Sequence, residues 1–205
     1  EPGITSYDVV DRIKSLNEGV KVGHCGTLDP FAEGVLIVCT GNAVKSVEKY
    51  MSLPKEYKAT ITLGSETDTL DNTGEVIKMK RKLPKLDENC ILDALNKFKG
   101  EQLQTPPYFS ALKFKGISLY KYARKGIFIR KKPRKIFIDT IKLVDFQDSQ
   151  ITFLVSCSKG TYIRSLAKDI ALSLNTYGHL SKLVRTSIGP YNSKNTLCLN
   201  SLNVQ

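Results

Sequence analysis

Three consecutive segments decide the fold: IFIDTIKLVDF (Ile136–Phe146), ITFLVS (Ile151–Ser156) and KGTYIRSLAKDIALSL (Lys159–Leu174). The first two are apolar, β-branched runs, and the polar Asp148-Ser149 between them is turn chemistry, so they read as two strands joined by a short turn. In the third, Ile163, Leu166, Ala167, Ile170 and Leu174 recur at helical spacing. Strand, strand, helix in succession departs from the strand–helix–strand alternation of a doubly wound parallel sheet. It points to an α+β fold.

The same mixture continues outward. Residues 6–16 predict a helix with Ser6 as its cap and a stripe of Val9, Val10, Ile13 and Leu16. Gly34–Cys39 is a short apolar run that predicts a buried strand, and Val44 and Val47 suggest a short helix after it. Tyr57–Leu63 alternates, with Tyr57, Ala59, Ile61 and Leu63 on one face. Ser65–Gly74 is a polar, acidic loop holding Asp68 and Asp71. Ile91, Leu92, Leu95 and Phe98 mark a helix that stops near Gly100. No internal repeat or long linker interrupts the chain, so one domain over residues 1–205 is expected.

The 205 residues carry 31 Lys and Arg against 20 Asp and Glu, a formal charge of +11. That balance calls for a polyanionic partner, most commonly nucleic acid. No apolar run reaches the ~20 residues that span a bilayer. Five cysteines, odd in number and spread along the chain without a C-x-x-C, argue for free thiols in a cytoplasmic setting and against a disulfide framework or zinc site. With only His24 and His179, a metal centre is not expected.

The charge is focused. Between Lys113 and Lys135 lie ten Lys or Arg and no acid, with Phe114, Tyr120, Tyr122 and Phe128 interleaved. Such a segment can follow a phosphate backbone while rings offer stacking surface. Lys113, Tyr120, Arg124, Lys131 and Lys132 are the substrate-binding candidates within it. The competing explanation is a solvated hairpin edge, where lysines block edge pairing.

Candidates for chemistry are weak one at a time. His24 sits in a glycine-flanked loop, GHCGTLDP (Gly23–Pro30), and can simply bond its own backbone. Asp29 precedes Pro30 and can be a turn former. Tyr57 lies on the apolar face of its strand. Arg164 opens a helix whose stripe does not bury it, and a cation at a helix N-terminus is badly placed for the macrodipole, so a carboxylate partner is expected. Asp68 and Asp71 lack a cation-binding pattern and are expected to cap a structural loop through Asx turns.

Taken in order, GHCGTLDPFAEGVL, KEYKA, LGSETDTLDNTGEV, PPYFSALKFKGISLYKYARKG and GTYIRSLA resemble the tRNA pseudouridine synthases of the TruB family, over nearly the whole chain. The resemblance implies a mixed, mainly antiparallel central sheet flanked by helices and loops, with a basic RNA-binding insertion at about residues 105–135. It implies isomerisation of the T-loop uridine of tRNA (position 55) without cofactor or metal. Asp29 would be the nucleophile, and Tyr57 would stack on the target base and take part in proton removal from C5. Arg164 would pair with the aspartate, His24 would contact displaced nucleotides, and Leu183 would line the pocket. The carbon that Asp29 attacks stays open: C1′, C6, or elimination to a glycal-type intermediate all suit a carboxylate.

Two departures accompany the match. Family members usually carry a Lys-Pro pair before the G-x-T-S block, where this chain reads EPGITS (Glu1–Ser6). They also continue into a PUA domain, which is expected to be absent here, with weaker tRNA affinity as the consequence. A monomer is expected. Rival functions are a non-catalytic RNA-binding protein or chaperone that uses only the basic segment, and a nucleoside hydrolase using Asp29 and Asp68.

Overall fold

A computed structural model describes residues 2–202. In chain order, α1 (Ser6–Ser15) is followed by short strands β1 (Val22–His24), β2 (Glu33–Gly34) and β3 (Val38–Thr40), then a 3-10 turn and α2 (Val47–Ser52). The long strand β4 (Lys55–Leu63) leads into the hairpin β5 (Ser65–Thr67) and β6 (Val76–Met79). Next come α3 (Glu88–Asn96) and β7 (Gly100–Gln104), then a small hairpin, β8 (Lys113–Phe114) with β9 (Ile117–Ser118), and α4 (Leu119–Ala123). The chain closes with β10 (Arg134–Gln147), β11 (Gln150–Cys157), α5 (Ile163–Ser173), β12 (Gly178–Ile188) and β13 (Tyr191–Asn192).

These elements form two compact units, Glu1–Lys58 with Leu183–Gln205, and Ala59–Lys182. Each boundary falls inside a strand, β4 or β12.

The larger unit, Ala59–Lys182, is built as the deciding segments predict. β10 and β11 pair antiparallel, Ile141 opposite Val155 and Leu143 opposite Phe153. Asp148 and Ser149 close the turn with φ of 47° and 67°, left-handed at both central positions, which matches the twist of a tight hairpin. β7 pairs antiparallel with β10 on its other side. Ile61, Ile138, Ile151, Phe153, Ile170 and Leu180 are fully buried and form its centre. Gly178 is required there, because a Cβ would come within 2.6 Å of Ala171 Cβ. The acidic loop is a hairpin connection, and its aspartates do cap it. Asp68 Oδ1 accepts from Thr69 N and Glu75 N, and Asp71 Oδ1 accepts from Thr73 N.

In the smaller unit β2 lies parallel to β12, Val184 opposite Glu33 and Arg185 opposite Gly34. β1 pairs antiparallel with β3. Two local expectations change. The cap of α1 is Thr5, locked with Asp8 in a capping box, so Ser6 is the first helical residue and its hydroxyl is available elsewhere. The run Gly34–Cys39 is not one strand: β2 ends at Gly34 and β3 begins at Val38. In the gap, Val35 N donates to Arg185 O and Val35 O accepts from Arg185 Nε, so its polar groups go to an arginine.

Candidate active site

In the smaller unit the chain from Gly23 to Val35 is held at almost every step. His24 is the last residue of β1 and lies opposite Val38 of β3. Cys25 N donates to Ile37 O at 2.8 Å. Gly26 adopts φ +106°, a conformation that disfavours any side chain. The freed Ser6 hydroxyl then grips Leu28 twice, accepting from its N–H at 2.9 Å and donating to its carbonyl at 3.3 Å. Gly3 N donates to Pro30 O at 2.7 Å, and Ala32 N to Asp29 O at 2.9 Å. Asp29 therefore does form a turn, as its place before Pro30 suggests. It stands half-buried on a segment whose backbone is tied on both sides.

Around it, His24 is half-buried and its Nδ1 is buried without a hydrogen-bond partner among the described residues. Burial, and then the positive charge of Arg185, push its pKa below the ordinary value, so the imidazole is neutral at pH 7. Cys25 and Cys39, distant in sequence, touch at 3.5 Å between sulfurs, and both are free thiols. Burial, and next the Cys39 thiol, push Cys25 up to about 12, so a thiolate nucleophile beside His24 is ruled out at neutral pH. Tyr57 and Leu183 are both buried. At the start of the strand that carries Tyr57, Lys55 is buried as well, its Nζ donating to the carbonyls of Met51 and Leu53 at 2.6 and 2.7 Å.

A groove of this unit, about 630 Å³, is lined by Ile4, Val9, Ile13 and Val184 and shares Leu28 and Asp29 with the loop. His24, Tyr57 and Leu183 do not line it. Its walls are chiefly aliphatic, which does not suit a uridine carried on a polyanion, so the geometry of the loop outweighs the size of this hollow.

The larger unit holds Arg164 and the basic segment. Arg164 is buried, 4% exposed, contrary to the expectation from the helical stripe. The expected carboxylate comes from the acidic loop: Asp71 Oδ2 lies 3.4 Å from NH1. NH1 also donates to Thr69 O and NH2 to Phe109 O, at 2.8 and 2.9 Å. The helix start that aims it is fixed by Gln104, whose side-chain amide accepts from Tyr162 N and donates to Tyr162 O. Asp71 is thus a positioning group, and Thr69 and Thr73 hydroxyls fix its other oxygen.

Of the basic segment, Lys113, Arg124 and Lys132 are exposed, and Tyr120 and Lys131 are half-buried. Its rings already hold cations: Arg124 lies 5.4 Å from the centroid of Tyr120, and Lys131 Nζ sits 3.2 Å above that of Tyr108, which packs edge-on to Phe128. Burial, and then the nearby Lys168, bring Lys131 down to about 8. An anion would relieve both costs. The solvated-hairpin explanation describes only the tip, since β8 and β9 have two residues each.

Sequence reasoning missed Ser6 as a loop anchor, and it missed Lys55 and Arg185 altogether. The only signal for them was position, Lys55 as the first residue of KEYKA and Arg185 two residues after Leu183. Among the described residues no helix is long and apolar enough to cross a membrane.

Comparison with known proteins agrees on one family. A family model described as TruB family pseudouridylate synthase (N terminal domain) matches residues 14–163. The tRNA pseudouridine synthase B of Francisella philomiragia is 45% identical over 200 residues, covering 98% of this chain and 66% of its own length. That of Clostridium acetobutylicum is 45% identical over 203 residues, with 99% and 70% covered. Among solved structures, a Cbf5-Nop10-Gar1 complex matches with a TM-score of 0.72 at 30% identity, over 94% of this chain and 48% of that one. An H/ACA RNP bound to a substrate RNA containing 2'-deoxyuridine matches with a TM-score of 0.69 at 28% identity, over 96% and 48%.

Proposed function

The chain belongs to the TruB family of pseudouridylate synthases, and from that premise we propose that it isomerises the T-loop uridine of tRNA, position 55, to pseudouridine. The chain spans 66% of the length of the first of these relatives and about half of the solved chains. The activity of the whole protein is therefore part of the proposal.

The reaction conserves every atom and electron of the substrate. The N1–C1′ bond breaks, a C5–C1′ bond forms, C5 loses a proton and N1 gains one. No redox partner is needed, only a group that can bond to carbon and leave again, which a carboxylate does. The target base must first be turned out of the folded T-loop, and an aromatic face such as Tyr57 can hold it by stacking. Asp29 serves as the nucleophile. His24, neutral at pH 7, can accept as well as donate hydrogen bonds to displaced nucleotides, and Leu183 provides apolar lining. Arg164 has the electrostatic role, on the strength of the GTYIR match, and Lys113, Tyr120, Arg124, Lys131 and Lys132 bind the T-arm. The same reading has the chain act in the cytoplasm as a monomer.

One observation supports Asp29 above the other carboxylates. It lies where Ser6, Gly3 and Arg185 tie the chain, half-buried, whereas Glu33 further along the same segment is exposed. Asp71, by contrast, is buried and spent on Arg164 and two threonines. Tritium release from tRNA transcript labelled at uridine C5 tests the reading. The parent chain releases label and Asp29→Asn does not. Binding by both with release by neither would favour an RNA-binding protein.

A further inference from the structure

Arg185 is the largest fully buried side chain of the smaller unit, 1% exposed, and none of the ion pairs found among the described residues includes it. Removing a guanidinium from water without a counter-ion is costly, and an apolar side chain of similar volume would fill the space more cheaply. Every hydrogen bond it donates goes to a main-chain carbonyl of one loop. Nε donates to Val35 O at 2.7 Å, NH1 to Thr27 O at 3.3 Å and NH2 to Gly26 O at 3.2 Å. Gly26 and Thr27 precede Asp29 and Val35 follows it, so one rigid planar fork bridges both arms of the loop. Its own carbonyl accepts from Val35 N at 2.8 Å, and a Cβ on Gly34 would collide with that oxygen. The backbone thus approaches Arg185 closely because residue 34 is glycine.

We propose that Arg185 is a positioning residue for the reaction, its guanidinium spanning the loop so that the Asp29 carboxylate is held at a fixed height and angle. The inference rests on the reading of Asp29 as nucleophile. A planar fork with donors on three nitrogens suits this task, and an ammonium does not, because it cannot span carbonyls on both arms in one geometry. Misplacing a reacting group by about 1 Å can cost about 10²-fold in rate. Ground-state binding of tRNA, which depends on phosphate contacts, does not need that placement.

The test compares the parent chain with Arg185→Lys and Arg185→Met, reading thermal melts, transcript Kd, and single-turnover tritium release with transcript at saturation. Amide hydrogen exchange of Thr27–Ala32 is followed alongside that of α1. Both variants are expected to fold, to bind transcript within about threefold of the parent, and to lose about 10²-fold in single-turnover rate. Exchange should quicken in the loop and not in α1. Arg185→Lys, which keeps the charge and loses the fork, should recover little of the rate. A rate unchanged in folded variants, a loss accounted for by Kd, or full recovery by lysine would overturn the proposal. So would failure of both variants to fold, which would make Arg185 a residue of the core. Asp29→Asn run in parallel separates the two readings: if it still releases tritium, the nucleophile assignment fails, whatever the loop exchange of the Arg185 variants shows.

Discussion

The two units differ in the largest side chain that each shuts away from water: apolar in the larger unit, an arginine in the smaller. Ala59–Lys182 has an apolar centre, with Ile61, Ile138, Ile151, Phe153, Ile170 and Leu180 all shut from water. In the unit formed by Glu1–Lys58 and Leu183–Gln205, the buried places include Ser6, Lys55 and Arg185, and each of them donates to main-chain carbonyls. Apolar packing is non-directional and tolerates small shifts, whereas a hydrogen bond fixes an atom. The larger unit uses buried hydrogen bonds too, around Arg164, but at its very centre it is apolar, whereas in the smaller unit the deepest large side chain is itself the one that fixes a loop.

The strongest way to break this contrast is Asp29→Asn, expected to lower single-turnover tritium release by ~10³-fold or more while melting temperature and transcript affinity stay near the parent's. Next, Phe153→Ala should cost ~3–5 kcal/mol of stability in urea melts, yet leave the rate per folded molecule unchanged. Gly34→Ala should do the opposite in kind. It costs ~1–3 kcal/mol through its φ of +110° and the clash with Arg185 O, and it also lowers the rate of molecules that remain folded. Replacing Lys131 and Lys132 by alanine should flatten the salt dependence of transcript binding by about one unit per lost phosphate contact. The smallest effect concerns His24. An NMR titration should find its midpoint below the ordinary ~6.5. Since the folded value is depressed, the unfolded chain takes up the proton first. The stability linked to this group is full above pH ~6.5 and falls as the pH drops through 6.5 toward the folded value.

What could be read from the sequence follows the same division. β10, β11 and α5 were legible because a buried sheet and an amphipathic helix write their periods in apolar residues. β12, with Ser181, Lys182 and Arg185 in it, carries no such plain signal, although it alternates in burial. The supposed strand Gly34–Cys39 failed at Val35, whose carbonyl is taken by a side chain 150 residues away. No local pattern can announce that. Arg164 was misjudged for a related reason: periodicity speaks for the apolar face, and this arginine is buried through Asp71 and two carbonyls. The proposed roles of Asp29, Tyr57 and Arg164 come from motif resemblance, since Asp29 by itself looks like any aspartate before a proline, whereas the basic segment stands out by its charge alone.

The reach of the Arg185 fork has a consequence in time. Its contacts join positions 150, 158 and 159 apart in the chain. A ribosome adding ~5–20 residues per second needs roughly 8–30 s to cover the first of those separations. Gly26, Thr27 and Val35 are made early and wait, their carbonyls facing water, until β12 emerges. Long-range closures of this kind also slow folding. Under the proposed function, the basic segment between Lys113 and Lys135 would leave the ribosome before the residue that spans the Asp29 loop, and binding competence would precede chemical competence during synthesis.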